Sequence, residues 1–163
     1  MLTPNPAYRI VFPSYDWDDA WLVNQIINLP VVLGKENIGF IKGVPQEEGL
    51  THDSEIQQWI DRNMSGCSAL MLLVGEQTYL SKWVAYEVDL ARKRHLGMLL
   101  VYLDGMRRQN GSICQLGKDP LEHWGLYANT PGCYRVNAYH WVRNNGLENV
   151  ADWIEDALQR ISK

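Results

Sequence analysis

Trp83, Tyr86 and Glu87 set a carboxylate among large aromatic faces, within the run Thr78-Tyr79-Leu80-Ser81-Lys82-Trp83-Val84-Ala85-Tyr86-Glu87-Val88. Cleavage of a nucleotide's glycosidic bond is chemistry that this combination suits. Breaking such a bond, a ribosyl–nicotinamide bond for example, builds oxocarbenium-like positive charge on the sugar, and a fixed carboxylate stabilises that charge where water is excluded. Trp83 lies four residues before Glu87 and shares its helical face, while Tyr86 lies on the neighbouring face. A cationic nicotinamide ring or an adenine would stack on Trp83 or Tyr15. Taken alone, an acid near a helix start is read more simply as a solvated side chain favoured by the helix dipole.

The elements that must position these residues follow from spacing. Immediately upstream, Ala69 to Val74 is a short apolar run closed by Gly75, the pattern of a strand buried on both faces. Ligands of open α/β sheets gather beyond strand ends of that kind. Tyr8 to Phe12 is β-branched and aromatic, a first strand that Pro13 is expected to close. Asp16 or Asp18 would cap a helix with Leu22, Gln25, Ile26 and Leu29 facing inward and Pro30 near its end. Gly39-Phe40-Ile41 forms a brief second strand, and Lys42 to Thr51 an exposed, mobile loop. A helix from Asp53 or Ser54 turns Ile56, Trp59, Ile60 and Met64 to the sheet. Ser68 to Gly75 is the third strand.

Helix Trp83 to His95 packs through Val84, Val88 and Ala91, and Met98 to Leu103 is another buried strand. Met106 to Pro131 lacks periodicity and runs about twice the usual length of a βα connection, so a lid, an irregular covering and a flexible segment all stay open. Cys133 to Val136 is read as an edge strand. Glu148 to Ile161 is an amphipathic helix, its face made of Val150, Trp153, Ile154, Ala157, Leu158 and Ile161. The order β-α-β-α-β-α-β-loop-β-α implies a parallel sheet wrapped by helices. Neighbouring first and third strands then bring the Pro13-Ser14-Tyr15 turn into the crevice of Glu87, where Ser14 and backbone N–H groups would hold polar ligand atoms.

Composition removes several other readings. The 163 residues suffice for one well-buried core and are too few for two ordinary domains. A formal charge of -4, with Arg92-Lys93-Arg94 the densest basic group, argues against a nucleic-acid surface. Cys67, Cys114 and Cys133 leave an odd thiol and no leader opens the chain, which points to a reducing cytosol. No stretch reaches the roughly 20 apolar residues of a membrane-spanning helix. Neither a Walker A loop nor a Gly-x-Gly-x-x-Gly turn occurs. The carboxylates of Asp16, Asp18 and Asp19 would repel a flavin phosphate at the first helix start, and Gly75-Glu76 offers no aspartate for the phosphoryl group of a receiver. Cys114, His123, Cys133 and His140 fit none of the close paired spacings of zinc sites, so no metal is expected. No nucleophile elbow appears.

At these residues the chain resembles the TIR-like family typified by the TIR subunit of Thoeris antiphage defence systems. Phe12-Pro13-Ser14-Tyr15 and the acids that follow match its opening turn, Val23-Asn24 its first helix, Gly39-Phe40-Ile41 its second strand and Glu47-Glu48 the segment beyond. Its strongest signature, an apolar strand followed by Gly-x-x-Thr-Tyr/Phe-x-x-x-Trp-Val-x-Tyr-Glu, is met by Gly75, Thr78, Tyr79, Trp83, Val84, Tyr86 and Glu87. Pro13 stands where the family has a larger apolar residue, Leu22 and Ala85 where arginine is common, and Lys42 where aspartate is frequent.

The resemblance implies one TIR-like domain over 1–163, a three-layer, flavodoxin-like α/β fold with a roughly five-stranded parallel sheet. It implies an enzyme of the NAD glycohydrolase or ADP-ribosyl cyclase type that takes NAD as substrate and needs no cofactor. Such an enzyme releases nicotinamide and makes a cyclic or conjugated ADP-ribose signal, read by a separate effector in cytoplasmic antiphage defence. Glu87 carries over as the catalytic glutamate, with Pro13, Ser14, Tyr15 and Trp83 expected against the substrate. Lys42 to Thr51 is the candidate surface for self-association or for a phage-derived trigger. Two other readings stand beside this one: a non-enzymatic TIR-like adaptor with Glu87 as a structural cap, and a nucleoside deoxyribosyltransferase-like enzyme.

Overall fold

Apolar runs read as strands buried on both faces need cover on both sides, and the chain supplies it. A computed structural model describes residues 9–29, 38–126 and 136–161. The expectations placed on Tyr8, Pro30, residues 127–131 and residues 133–135 lie outside them. The strands are β1 (Arg9–Ser14), β2 (Ile38–Phe40), β3 (Ala69–Val74), β4 (Gly97–Tyr102) and β5 (Asn137–His140). The helices are α1 (Ala20–Ile27), α2 (Asp53–Met64), α3 (Lys82–Lys93), the short α4 (Pro120–His123) and α5 (Gly146–Ile161). All the described strands pair in parallel in the order β2-β1-β3-β4-β5, which is the flavodoxin-like doubly wound order. The expected fold class is the observed one.

Period-two alternation sorts the strands' side chains between two cores. Val11, Met71, Leu73, Leu99 and Val101 pack against α1 and α5. Phe12, Leu70, Leu72, Met98 and Leu100 pack against α2 and α3. Every residue of β3 is fully buried, and at about 1.5–3 kcal/mol per large apolar side chain this central strand anchors both layers. The α2 stripe Ile56, Trp59, Ile60 and Met64 is buried as its spacing requires. Along α5, Val150, Trp153, Ile154, Ala157 and Leu158 are buried while Ile161 is 37% exposed.

Three local expectations need correction. Pro13 does not close β1, which continues through Ser14 with Pro13 opposite Met71. Backbone groups alternate sides along a strand: the Ile10 carbonyl accepts from Ser68 on the β3 side and the Val11 carbonyl accepts from Ile41 on the β2 side. Pro13 therefore turns its missing N–H toward β2, and β2 has ended at Phe40. On α1 the buried stripe is Leu22, Val23, Ile26 and Ile27. Gln25 lies on the exposed face and its amide donates to the Trp21 carbonyl. The edge strand begins at Asn137, one residue beyond Val136, and Tyr139 fixes it by stacking on Trp153 of α5 at 4.3 Å.

Residues 106–126 form an irregular covering over the carboxyl ends of the strands. Cys114 packs on the α1/α5 side and Leu121 on the α2/α3 side. Asp119 caps α4 by accepting from the N–H groups of Leu121 and Glu122. Arg108 reaches back to the buried Asp19 at 3.1 Å, and that carboxylate lies against Gly75. A Cβ on Gly75 would stand 2.0 Å from Asp19 Oδ2, while the Gly75 N–H donates to Thr78 Oγ1 at 2.8 Å. The Gly-x-x-Thr spacing thus shapes the turn that launches α3. Gly75→Ala is expected to destabilise the fold by about 1–3 kcal/mol, read by chemical denaturation, because backbone or Asp19 must move to admit the methyl group.

Candidate active site

Helix α3 starts where Ser81 caps it, the hydroxyl accepting from the Val84 N–H at 3.3 Å. Helical periodicity from that start puts Val84, Glu87, Val88 and Ala91 on the face that packs against the sheet. Glu87 is thus only 9% exposed, not the solvated acid that its place in the chain suggests by itself. Tyr86, one residue earlier, points the other way and donates its hydroxyl to Asp61 of α2 at 2.8 Å. It joins two helices and meets Trp83 edge-on at 5.9 Å between ring centroids.

Glu87 opens into a cavity of about 200 Å³ beyond the carboxyl end of β1. Pro13 and Tyr15 form one wall and Trp83 another, so three of the four residues expected against a ligand converge here with Glu87. Ser14 is placed differently. It is fully buried behind this wall, and its hydroxyl donates to Glu87 Oε2 at 2.5 Å. Among the described residues it is the side chain hydrogen-bonded to that carboxylate.

The remaining walls were not singled out as site residues by sequence reasoning. Ile56, Trp59 and Ile60 of α2 line the cavity, as do Gly43, Val44 and Pro45. The 42–51 loop is therefore less open than expected, with Pro45 buried and the segment wound into a short 3-10 turn at Pro45–Glu48. Asp16 and Trp17 complete the mouth. The residues of α2 carry the spacing of ordinary core, which does not separate core from cavity wall. Trp17, 42% exposed, carried a usable signal: a large aromatic amid acids directly after a strand end.

Among the described residues no lysine, arginine or histidine lines the cavity, while Asp16 and Glu87 do. Burial pushes the Glu87 carboxyl up to about 8, against which the Ser14 hydrogen bond pulls it down. Burial, and then the nearby Glu47 and Glu87, push the Tyr15 phenol up to about 12. The site is thus matched to a cationic or neutral ligand. Its volume is below the roughly 300–1,000 Å³ of pockets that enclose drug-sized molecules, so it suits a ring and part of a sugar.

Residues 12–108 match the family described as "Thoeris protein ThsB, TIR-like domain", a span that takes in every wall of the cavity. One relative, from Bacillus cereus (strain MSX-D12), carries the name "Putative cyclic ADP-D-ribose synthase ThsB1". It is 23% identical over 136 residues, covering 81% of this chain and 70% of that protein. Among solved structures, the crystal structure of the IL-17 receptor B SEFIR domain aligns over 96% of this chain and 98% of its own, with a TM-score of 0.48 and 12% identity. Among the described residues no helix is long and apolar enough to cross a membrane.

The raised carboxyl of Glu87 fixes the sign of a pH effect. A side chain that ionises near its ordinary value of 4.5 in the unfolded chain and near 8 in the folded one contributes stability that is fully present below about pH 4.5 and lost as pH rises through 8. Glu87→Gln removes that loss. The variant is expected to match the parent near pH 5 and to exceed it near pH 8.5 by on the order of 2 kcal/mol, about 4–8 °C in Tm for a chain of this size. Thermal melts across that pH range check it.

Proposed function

The chain belongs to the TIR-like domain family of Thoeris protein ThsB, and from that premise we propose that it cleaves NAD, releases nicotinamide and makes a cyclic or conjugated ADP-ribose signal for a separate effector in bacterial antiphage defence. The observation that carries this reading is Glu87 held by Ser14 in a wall of aromatic rings, at the crevice between β1 and β3. The name of the Bacillus cereus relative supports the cyclase form of the product.

In this reading the nicotinamide ring and its ribose enter the cavity, with Trp83 offering a face to the pyridinium. The C1′–N bond breaks with both electrons going to the ring nitrogen, so nicotinamide leaves neutral and positive charge passes to the ribosyl group. The Glu87 carboxylate stabilises that charge or accepts from the ribose hydroxyls, inside walls that keep water out. An acceptor within the same molecule, or another small molecule, then bonds to C1′. Burial favours neutral Glu87, and an arriving cation draws out the carboxylate form.

The adaptor alternative gives Glu87 a capping role, but α3 is capped by Ser81 and Glu87 lies well inside the helix. Base exchange on nucleosides without NAD turnover would favour the deoxyribosyltransferase-like alternative. Nicotinamide release from NAD by the purified chain, and by extracts of phage-infected cells where a trigger is required, tests the proposal. Glu87→Gln is expected to lower kcat by about 10²–10³-fold. Trp83→Ala is expected to act mainly on KM, raising it about 5–10-fold. Equal turnover by the Glu87 variant would remove the glutamate from the mechanism.

A further inference from the structure

We propose that Ser14 is a positioning residue, whose hydroxyl aims the Glu87 carboxylate into the cavity and does not itself hold the ligand. The inference deepens the NAD-cleaving reading and rests on it for its kinetic consequences. Along β1 the even positions face α2 and α3, as the packing of Phe12 demonstrates, so the last residue of the strand points at the inner face of α3. An apolar residue would satisfy packing there. The position instead carries a hydroxyl, fully buried and 2.5 Å from Glu87 Oε2 across 73 residues of sequence.

A serine has one O–H to give. Because it is directed to Oε2, Ser14 has no donor left for a ribose or amide oxygen unless it lets go of Glu87. Nor is Ser14 a wall of the cavity. The hydrogen bond fixes the rotation of the carboxyl group and leaves Oε1 as the atom available to a sugar.

The other ionisable groups about the site do not replace it. Tyr15 and Asp16 come from the turn after β1, and Glu47 stands near Tyr15 beyond the 43–45 wall. Each is a phenol or an acid, and neither α2 nor the rest of α3 presents a charged side chain to the cavity. Among the described residues no lysine, arginine or histidine lines the cavity to orient and stabilise the carboxylate, so the task falls to the hydroxyl at the end of β1.

Ser14→Ala and Ser14→Cys, compared with the parent chain, test the assignment. The Glu87 carboxyl is followed by carbon NMR titration of glutamate-labelled protein, its signal identified by loss in Glu87→Gln. Ser14→Ala should raise the titration midpoint by about 1–2 pH units, and Ser14→Cys, a weaker donor of similar size, by less. In nicotinamide release, Ser14→Ala should lower kcat about tenfold near pH 7, shift the acidic limb of the kcat profile upward, and leave KM within about twofold. An unmoved midpoint in a folded Ser14→Ala protein would overturn the proposal, and so would a rise in KM alone, which would make Ser14 a direct ligand contact. Parent protein that titrates as described yet turns over no NAD, either purified or in extracts of phage-infected cells, would instead defeat the NAD-cleaving reading, leaving the hydrogen bond's role decided by the titration.

Discussion

A carboxylate shut among aromatic and aliphatic side chains, with no cation among the described residues of its walls, is the constraint around which this molecule is arranged. Taking such a charge out of water costs several kcal/mol even after relaxation. One hydrogen bond to a charged group returns only about 1.5–3 kcal/mol. The sum explains why burial pushes the Glu87 carboxyl up although the Ser14 hydrogen bond pulls it down. It also gives the cavity an electrostatic bias, since a positive charge beside Glu87 would restore the balance. A neutral pocket with a latent anion discriminates in favour of cationic ligands without a dedicated counter-ion.

Holding that arrangement requires α3 to be fixed at several points, and the fold provides them. Ser81 caps the helix, Tyr86 ties it to Asp61 and Lys82 pairs with Asp53 at 2.5 Å. The last pair is largely exposed and adds little stability, so the half-buried Ser81 cap and the apolar stripe Val84, Val88 and Ala91 carry the placement. On the opposite side of the β1–β3 crevice, Asp19, Gly75 and Arg108 lock the turn from which α3 departs. Burial pushes the Asp19 carboxyl up while Arg108 pulls it down, so here a guanidinium does for a structural acid what the cavity denies to Glu87. Two acids at the same end of the sheet thus meet opposite environments, one partnered by a cation and one by a neutral hydroxyl.

The fold class was legible in the sequence because its signals are redundant. Fully apolar runs at 69–74 and 98–103 alternate with helical stripes, and only a covered parallel sheet accommodates both. The meeting of residues 13–15 with Glu87 followed from strand order alone. What escaped was local: the continuation of β1 through Pro13 depends on where β2 stops, and that is a property of a neighbour. Gln25 was set on the inner face of α1 although the buried positions fall at 22, 23, 26 and 27. The role of Ser14 could not be separated from ligand binding, since spacing places a side chain in a crevice but does not say which of two partners receives its proton. Trp59 and Ile60 read as core for the same reason.

Positions at which the chain departs from the pattern of its family now have physical settings that differ from one another. Leu22 is 1% exposed within the apolar layer between α1 and the sheet, where a guanidinium would be buried without a described partner, so leucine there is a packing choice. Pro13 is a wall of the cavity; its compact ring takes less of the cavity than a larger apolar side chain and leaves a backbone edge without an N–H beside the ligand space. Lys42 is exposed between Ile41 and Gly43, both of which line the cavity. A lysine puts positive charge at a rim position where the resembled pattern frequently has aspartate, while no described residue places a cation in the interior. Glu87 and Ser14, which set the charge and its direction, are untouched by these departures. The changes at Pro13 and Lys42 therefore act on the shape and outer charge of the cavity.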